Sequence, residues 1–243
     1  MSRGLRKKWK KGDRFLIKHK DRALAVVDKT AGILTVPTPS GRGENLRDHL
    51  RQALGGRRLF VVHRIDRVVS GLLVFARHHE AFERLKSQFA AHSAHRVYCA
   101  AVHGHLAEES GTFDTPLSFN ETTLTMYGSR RGKTAVTHWR VKRRLANTTL
   151  VEVQLETGLR NQIRVHFAEA GHPLVGEKKY RHPGRRTAKA IQGAQRIFLH
   201  AAELGFEHPV TRRHMRFESP LPRDLERLLR QLEGADTPSP AAE

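Results

Sequence analysis

The chain has 243 residues, enough to bury a substantial core in one large domain or two small ones. Forty-four lysines and arginines stand against 24 acids, a formal net charge of +20. That imbalance argues against an indifferent surface and for a polyanionic partner, RNA or DNA before an anionic membrane. No run approaches the roughly 18 apolar residues of a membrane-spanning helix, and the basic N-terminus lacks the apolar core of a secretory signal. A single cysteine excludes an internal disulfide and fits the cytoplasm, and Cys99 sits beside Tyr98 and Ala100 in an apolar run that predicts a buried, inert thiol. The 16 histidines follow no ligand spacing and have no cysteine partners, so no metal is expected.

Residues 1–13 carry Arg3, Arg6, Lys7, Lys8, Lys10 and Lys11, a basic flexible arm that either tracks phosphates or is a solvated tail. Ala23–Asp28 reads as a strand, 29–32 as a turn, Ile33–Val36 as a second strand and 37–43 as a loop. Asn45 is placed to cap a helix to about Leu54, with Leu46, Leu50 and Leu54 on one face and Gly55-Gly56 at its end. Leu59–Val62 and Leu72–Ala76 read as buried strands, with Ser70-Gly71 marking the turn back. Between them Arg64 and Arg67 flank Asp66, which should keep that carboxylate ionised and suits a nucleophile or an electrostatic stabiliser. From the residues alone, a structural ion pair closing a strand–turn–strand is the simpler account.

Phe82, Leu85 and Phe89 share a face of a helix over 79–91, and 95–104 is a strand ending in a glycine turn. Short hairpins follow over 113–127, then a turn and strand over 132–144. In 149–156, Val151, Val153 and Leu155 alternate with polar positions. Asn161 is placed to cap a helix to about Ala170, with Arg160 and Arg164 adding positive potential near its start. Residues 180–192 read as a basic surface loop, 215–219 as a strand and 222–232 as a helix with Leu225, Leu228, Leu229 and Leu232 on one face. Residues 234–243 read as a disordered tail. Strands outnumber helices without alternating with them, which predicts an α+β fold around a mostly antiparallel sheet.

Several of these stretches resemble one family in the same order, from about Leu24 to Leu225. His63-Arg64-Ile65-Asp66 with Ser70-Gly71-Leu72 is similar to the His-Arg-Leu-Asp-x-x-Thr-Ser-Gly-Leu motif of the RluA-type pseudouridine synthases, with Val68-Val69 in place of x-Thr. Asp28–Gly32 resembles the family's Asn-Lys-Pro-x-Gly without its proline. His95–Gly104 resembles Lys-x-Tyr-x-Ala-x-Val-x-Gly, with Tyr98 on the tyrosine. Gln162–His166 followed by Gly171–Gly176 resembles Gln-Ile-Arg-Val-His and His-Pro-x-x-Gly-Asp, although Leu159-Arg160-Asn161 replaces Arg-Thr-His.

The resemblance implies one pseudouridine synthase domain over 14–233, built on a long bent sheet with flanking helices, without the separate RNA-binding domain that many relatives carry in front. It implies an isomerase acting on ribosomal or transfer RNA as a monomer. Asp66 would be the catalytic carboxylate, Arg164 its ion-pair partner and Tyr98 the residue stacked on the uracil. Arg64 would fill the space left by a flipped base, and Arg67, Arg160 and Val165 would touch substrate. The isomerisation moves no electrons, so no cofactor is expected. The rival accounts are a non-catalytic RNA-binding or ribosome-assembly factor on the same fold and a general DNA-binding protein. The first would be marked by a broken Asp, Tyr or Arg. The second has no helix-turn-helix, zinc-finger or basic-zipper pattern to support it.

Overall fold

A computed structural model describes residues 12–38, 41, 43–180, 191 and 193–234. In chain order the elements are β1 (Phe15–Lys20), β2 (Leu24–Lys29), α1 (Leu46–Ala53), β3 (Phe60–Val61), β4 (Ser70–Ala76), α2 (His79–Ala90), β5 (His95–His103) and β6 (Ser110–Phe113). Then come β7 (Leu117–Asn120), β8 (Thr125–Gly128), β9 (Thr137–Leu145), β10 (Thr148–Leu155), α3 (Gln162–Glu169), β11 (Leu199–Glu207), β12 (His214–Glu218) and α4 (Arg223–Gly234). They fall into two compact units, Met1–Ala94 with Leu204–Ser219, and His95–Glu203 with Pro220–Glu243. The expected α+β class and antiparallel pairing are what the molecule has. No helix among the described residues is long and apolar enough to cross a membrane. The expected N-terminal arm, apart from Gly12 and Asp13, most of the 180–192 loop and the tail beyond Gly234 lie outside the described residues.

In the first unit β2 is the organising strand. Its residues are all buried, and it pairs antiparallel with β1 on one side and β4 on the other. Strand β1 escaped the sequence reading because its apolar triplet is only half buried and then turns basic. Leu24, Val26, Leu72 and Val74 form a core with Ala81 and Leu85 of α2 and with Leu204 and Phe206. Each such leucine contributes about 1.5–3 kcal/mol by leaving water. Gln88 fastens α2 to β11 by accepting from the Glu207 amide (2.8 Å) and donating to the Glu207 carbonyl (2.8 Å). Helix α1 starts as its sequence predicts, with Asn45 Oδ1 accepting from the Asp48 amide at 3.1 Å.

The strand expected over Ile33–Val36 does not form. Leu34 makes only an isolated bridge to Asn45, because the segment spends its polar groups on neighbouring turns. Lys29 is fully buried, and its ammonium donates to the carbonyls of Thr30 (2.9 Å) and Ile33 (3.0 Å). Where the family motif has proline, the Thr30 amide and hydroxyl both donate to the Arg14 carbonyl, at 3.0 and 2.9 Å.

In the second unit β5, β10, β9 and β6 pair antiparallel in that order, and β7 with β8 forms a separate hairpin. Helix α4 buries Leu225, Leu228 and Leu232 against Ala101, Val175 and Phe198. Cys99 joins the same cluster, and burial pushes its thiol up to about 11. Such a thiol stays protonated and unreactive.

Candidate active site

In the first unit the stretch around Asp66 is an irregular segment between β3 and β4. The turn is centred on Arg67-Val68, three residues earlier than Ser70-Gly71. The Val69 amide donates to the Asp66 carbonyl (3.1 Å), while Ser70 and Gly71 already belong to β4. Gly71 has φ +115° opposite Lys29, a backbone that glycine adopts without strain.

The loop after β2 fixes this turn. The Gly32 amide donates to the Arg67 carbonyl at 2.7 Å, and Arg67 Nε donates back to the Gly32 carbonyl at 2.8 Å. The Thr35 hydroxyl donates to the Ile65 carbonyl at 2.8 Å. Lys29 Nζ reaches the Arg67 carbonyl at 3.5 Å. Backbone on both sides of Asp66 is thus held by buried groups. The carboxylate itself is half buried, and Arg64 and Arg67 are exposed beside it. Arg67 therefore has a structural duty as well as the substrate contact expected of it. His63 accepts from the Val74 amide through Nε2 (3.1 Å) and stacks on Phe89 at 4.5 Å, so it is a lock on β4 and α2.

In the second unit Tyr98 is 7% exposed and lies opposite Val153 in the β5–β10 ladder. Two residues before it, on the same face of β5, the Arg96 guanidinium donates to the carbonyls of Leu155 (3.3 Å) and Glu156 (2.6 Å). Burial lowers the pKa of Arg96 and nearby Tyr98 opposes that. Gly158 has a packing reason here, since a Cβ would stand 2.5 Å from Arg96 Nη1.

Helix α3 is held by its own motif. Gln162 is buried with both ends bonded, Oε1 accepting from the Thr157 hydroxyl and the Leu159 amide, and Nε2 donating to the Val136 carbonyl and Thr137 hydroxyl. One turn later His166 meets Thr137 Oγ1 (2.9 Å) and the Thr115 carbonyl (3.0 Å), and burial lowers its pKa. Asn161 does not cap this helix as expected. It sits in the left-handed region at φ 54°, and its Oδ1 accepts from the Tyr180 hydroxyl at 2.8 Å. A side chain committed to Tyr180 is unavailable to the first-turn amides.

With α3 locked, Arg164 projects between Glu177 and Tyr180. Its Nε and Nη2 grip Glu177 at 2.7 and 2.8 Å, and its guanidinium lies 5.1 Å from the Tyr180 ring centre. The Glu177 side chain is 0% exposed, and Oε1 also accepts from the amides of Lys178, Lys179 and Tyr180. Burial would raise the Glu177 pKa, but these bonds and the adjacent guanidinium outweigh it and hold the pKa below the ordinary value. The sequence reading missed Glu177. Its signal was available, because it follows Gly176 where the family motif carries an acid.

Val165, expected to touch substrate, is 2% exposed and packs with Leu117, Met126 and Ala168. Its side chain belongs to the core. Arg160 is exposed and lies 5.2 Å over the ring of Phe119. Arg64, Asp66 and Arg67 therefore share one turn of the first unit, whereas Tyr98, Arg160, Arg164 and Val165 belong to the second.

The family model for RNA pseudouridylate synthases matches residues 23–169, a span that includes the Asp66 turn, Tyr98 and α3. An uncharacterised RNA pseudouridine synthase of Bacillus subtilis, YlyB, is 38% identical over 224 residues, covering 89% of this chain and 72% of that protein. The ribosomal large subunit pseudouridine synthase D of Zymomonas mobilis is 37% identical over 225 residues, covering 87% and 71%. Among solved structures, human RNA pseudouridylate synthase domain containing 4 superposes with a TM-score of 0.71 at 25% identity, covering 89% of this chain and 92% of that one. A held carboxylate turn, a buried strand tyrosine and an anchored arginine thus occur in a chain that belongs to the RNA pseudouridylate synthase family and is an isomerase acting on RNA.

Proposed function

We propose that the protein isomerises uridine to pseudouridine in structured RNA, with ribosomal RNA of the large subunit the first substrate to test and transfer RNA the second. The choice follows from relatives named as large-subunit enzymes. The observation that carries the reading is the Asp66 turn, whose flanking backbone is bonded to the loop after β2. A carboxylate fixed in this way can meet a reacting ribose without first being ordered.

In the reaction the bond from ribose C1′ to uracil N1 breaks and one from C1′ to C5 forms, while C5 loses a proton and N1 gains one. Asp66 serves as the carboxylate that makes this exchange possible, by attack on the nucleotide or by handling a ribose proton. Arg164 pairs with it and orients it. A bidentate glutamate occupies two of the five N–H groups of a guanidinium, so Arg164 can hold Glu177 and serve a second acid. Tyr98 stacks on the uracil and takes up the C5 proton. A uridine in folded RNA has to leave its stack to reach such a site, and Arg64 occupies the space it vacates. Arg67 and Arg160 hold phosphates, and Val165 contributes by packing that fixes α3. The enzyme works as a cytoplasmic monomer without a metal or cofactor.

The test is chemical mapping of pseudouridine after incubation with unmodified large-subunit RNA and, separately, unmodified transfer RNA. Wild type should create at least one new site and Asp66→Ala none. No new site in either RNA, or equal modification by Asp66→Ala, would refute the assignment.

A further inference from the structure

The first unit has a concave feature built by α1, the loop after it, β3 and α2, with a volume of ≈ 590 Å³. Arg47 and Arg51 project from α1 and Arg58 from the loop, above a floor that includes Phe60, Val61 and Phe82. One carboxylate, Asp48, shares the cleft. It accepts from Arg47 Nε (3.1 Å) and Asn45 Nδ2 (2.8 Å) and so offsets Arg47. Three guanidiniums against one acid leave the cleft net positive.

Its shape suits a nucleic acid strand better than a bare anion. Arg58 lies 4.9 Å over the ring of Phe60, and Phe60 in turn stacks on Phe82 at 5.6 Å. A guanidinium placed over a ring can bond a phosphate and stack on a base, while the apolar floor accepts ribose or base edges. A free phosphate would have no use for that floor.

The cleft is also close to the chemistry along the chain. Val61 in its floor is five residues before Asp66, a span of at most about 18 Å when fully extended. A stacked strand advances about 3.4 Å per nucleotide, so this distance corresponds to about five nucleotides.

We propose that the cleft bounded by Arg47, Arg51 and Arg58 binds the sugar–phosphate strand of the substrate RNA within about five nucleotides of the uridine being isomerised. This rests on the isomerase reading for what the bound RNA is, but not for whether the cleft binds it.

The test is fluorescence anisotropy with a labelled unstructured RNA of about 20 nucleotides, titrated between about 50 and 200 mM salt. It compares the full-length wild type with Arg51→Ala/Arg58→Ala and with a charge-matched control, Arg227→Ala/Arg230→Ala on α4. All four arginines are exposed, and unchanged melting curves verify that the fold is intact. The cleft variant should bind about tenfold more weakly, with a slope of log Kd against log salt shallower by about 1.4, two single-strand phosphate contacts. The control should stay within about twofold of wild type. A cleft variant that binds like wild type, or a control that loses as much, overturns the proposal. Because binding is read without turnover, a protein that binds through the cleft yet makes no pseudouridine would sink only the isomerase reading.

Discussion

Replacing Glu177 with glutamine tests whether the buried carboxylate holds Arg164 in place. The substitution keeps an oxygen for the amides of Lys178, Lys179 and Tyr180 but removes the charge opposite a nearly buried guanidinium. Removing one member of a buried pair costs about 3–5 kcal/mol, and the retained oxygen puts this case near 3. For a chain of this length that is a fall of about 6–12 °C in Tm. Urea unfolding of Glu177→Gln, Arg164→Met and the double variant should give a coupling of about 2 kcal/mol or more. The folded-state pKa of Glu177 lies below its unfolded value, so its contribution is complete above the unfolded value and fades as pH falls through the folded one. The gap between wild type and Glu177→Gln should therefore close in acid. If Arg164 is needed in one orientation, turnover should drop about 10- to 100-fold as well. A coupling below about 0.5 kcal/mol, or a gap that is unchanged at acid pH, would refute the argument.

Three further outcomes follow from buried groups. Lys29→Met strands the carbonyls of Thr30 and Ile33 and takes one of two donors from that of Arg67, which should cost at least about 2 kcal/mol, with faster amide exchange at Gly32 as the sign that the Asp66 turn has loosened. Asp28 is buried against the Ser219 hydroxyl (2.5 Å), and burial raises its pKa despite that bond and the charge of Lys18. Its raised folded pKa makes it a burden once pH climbs past the unfolded value, so Asp28→Asn should be more stable than wild type at neutral pH and equal to it in strong acid. In Gly176→Ala the new Cβ would lie 2.2 Å from the Arg196 carbonyl oxygen at a backbone with φ +81°, and little soluble protein should be recovered on expression.

Periodicity made the helices and the long strands legible. Leucine spacing gave α1 and α4, and Asn45 and the double glycine marked the ends of α1. Reading failed where a polar group chose a distant partner. Asn161 looks like a cap from its neighbours, yet its carbonyl oxygen goes to Tyr180, 19 residues away. Ile33–Val36 looks like a strand, yet Lys29, Thr35 and Gly32 tie its surroundings to the Asp66 turn. Glu177 is legible only through a motif, since nothing in its own neighbourhood says that it is buried against an arginine 13 residues earlier. Val165 shows the reverse error, because a residue inside a functional motif can serve only to pack.

The threonine that stands in the proline position has a mechanical consequence. A proline would stiffen the bend through its ring and remove both hydrogen bonds to the Arg14 carbonyl. Thr30 instead tethers Arg14 with two hydrogen bonds, while Gly32, two residues on, clasps Arg67. Tension applied at the beginning of the first strand is thereby transmitted, through one short bend, to the backbone that carries Asp66.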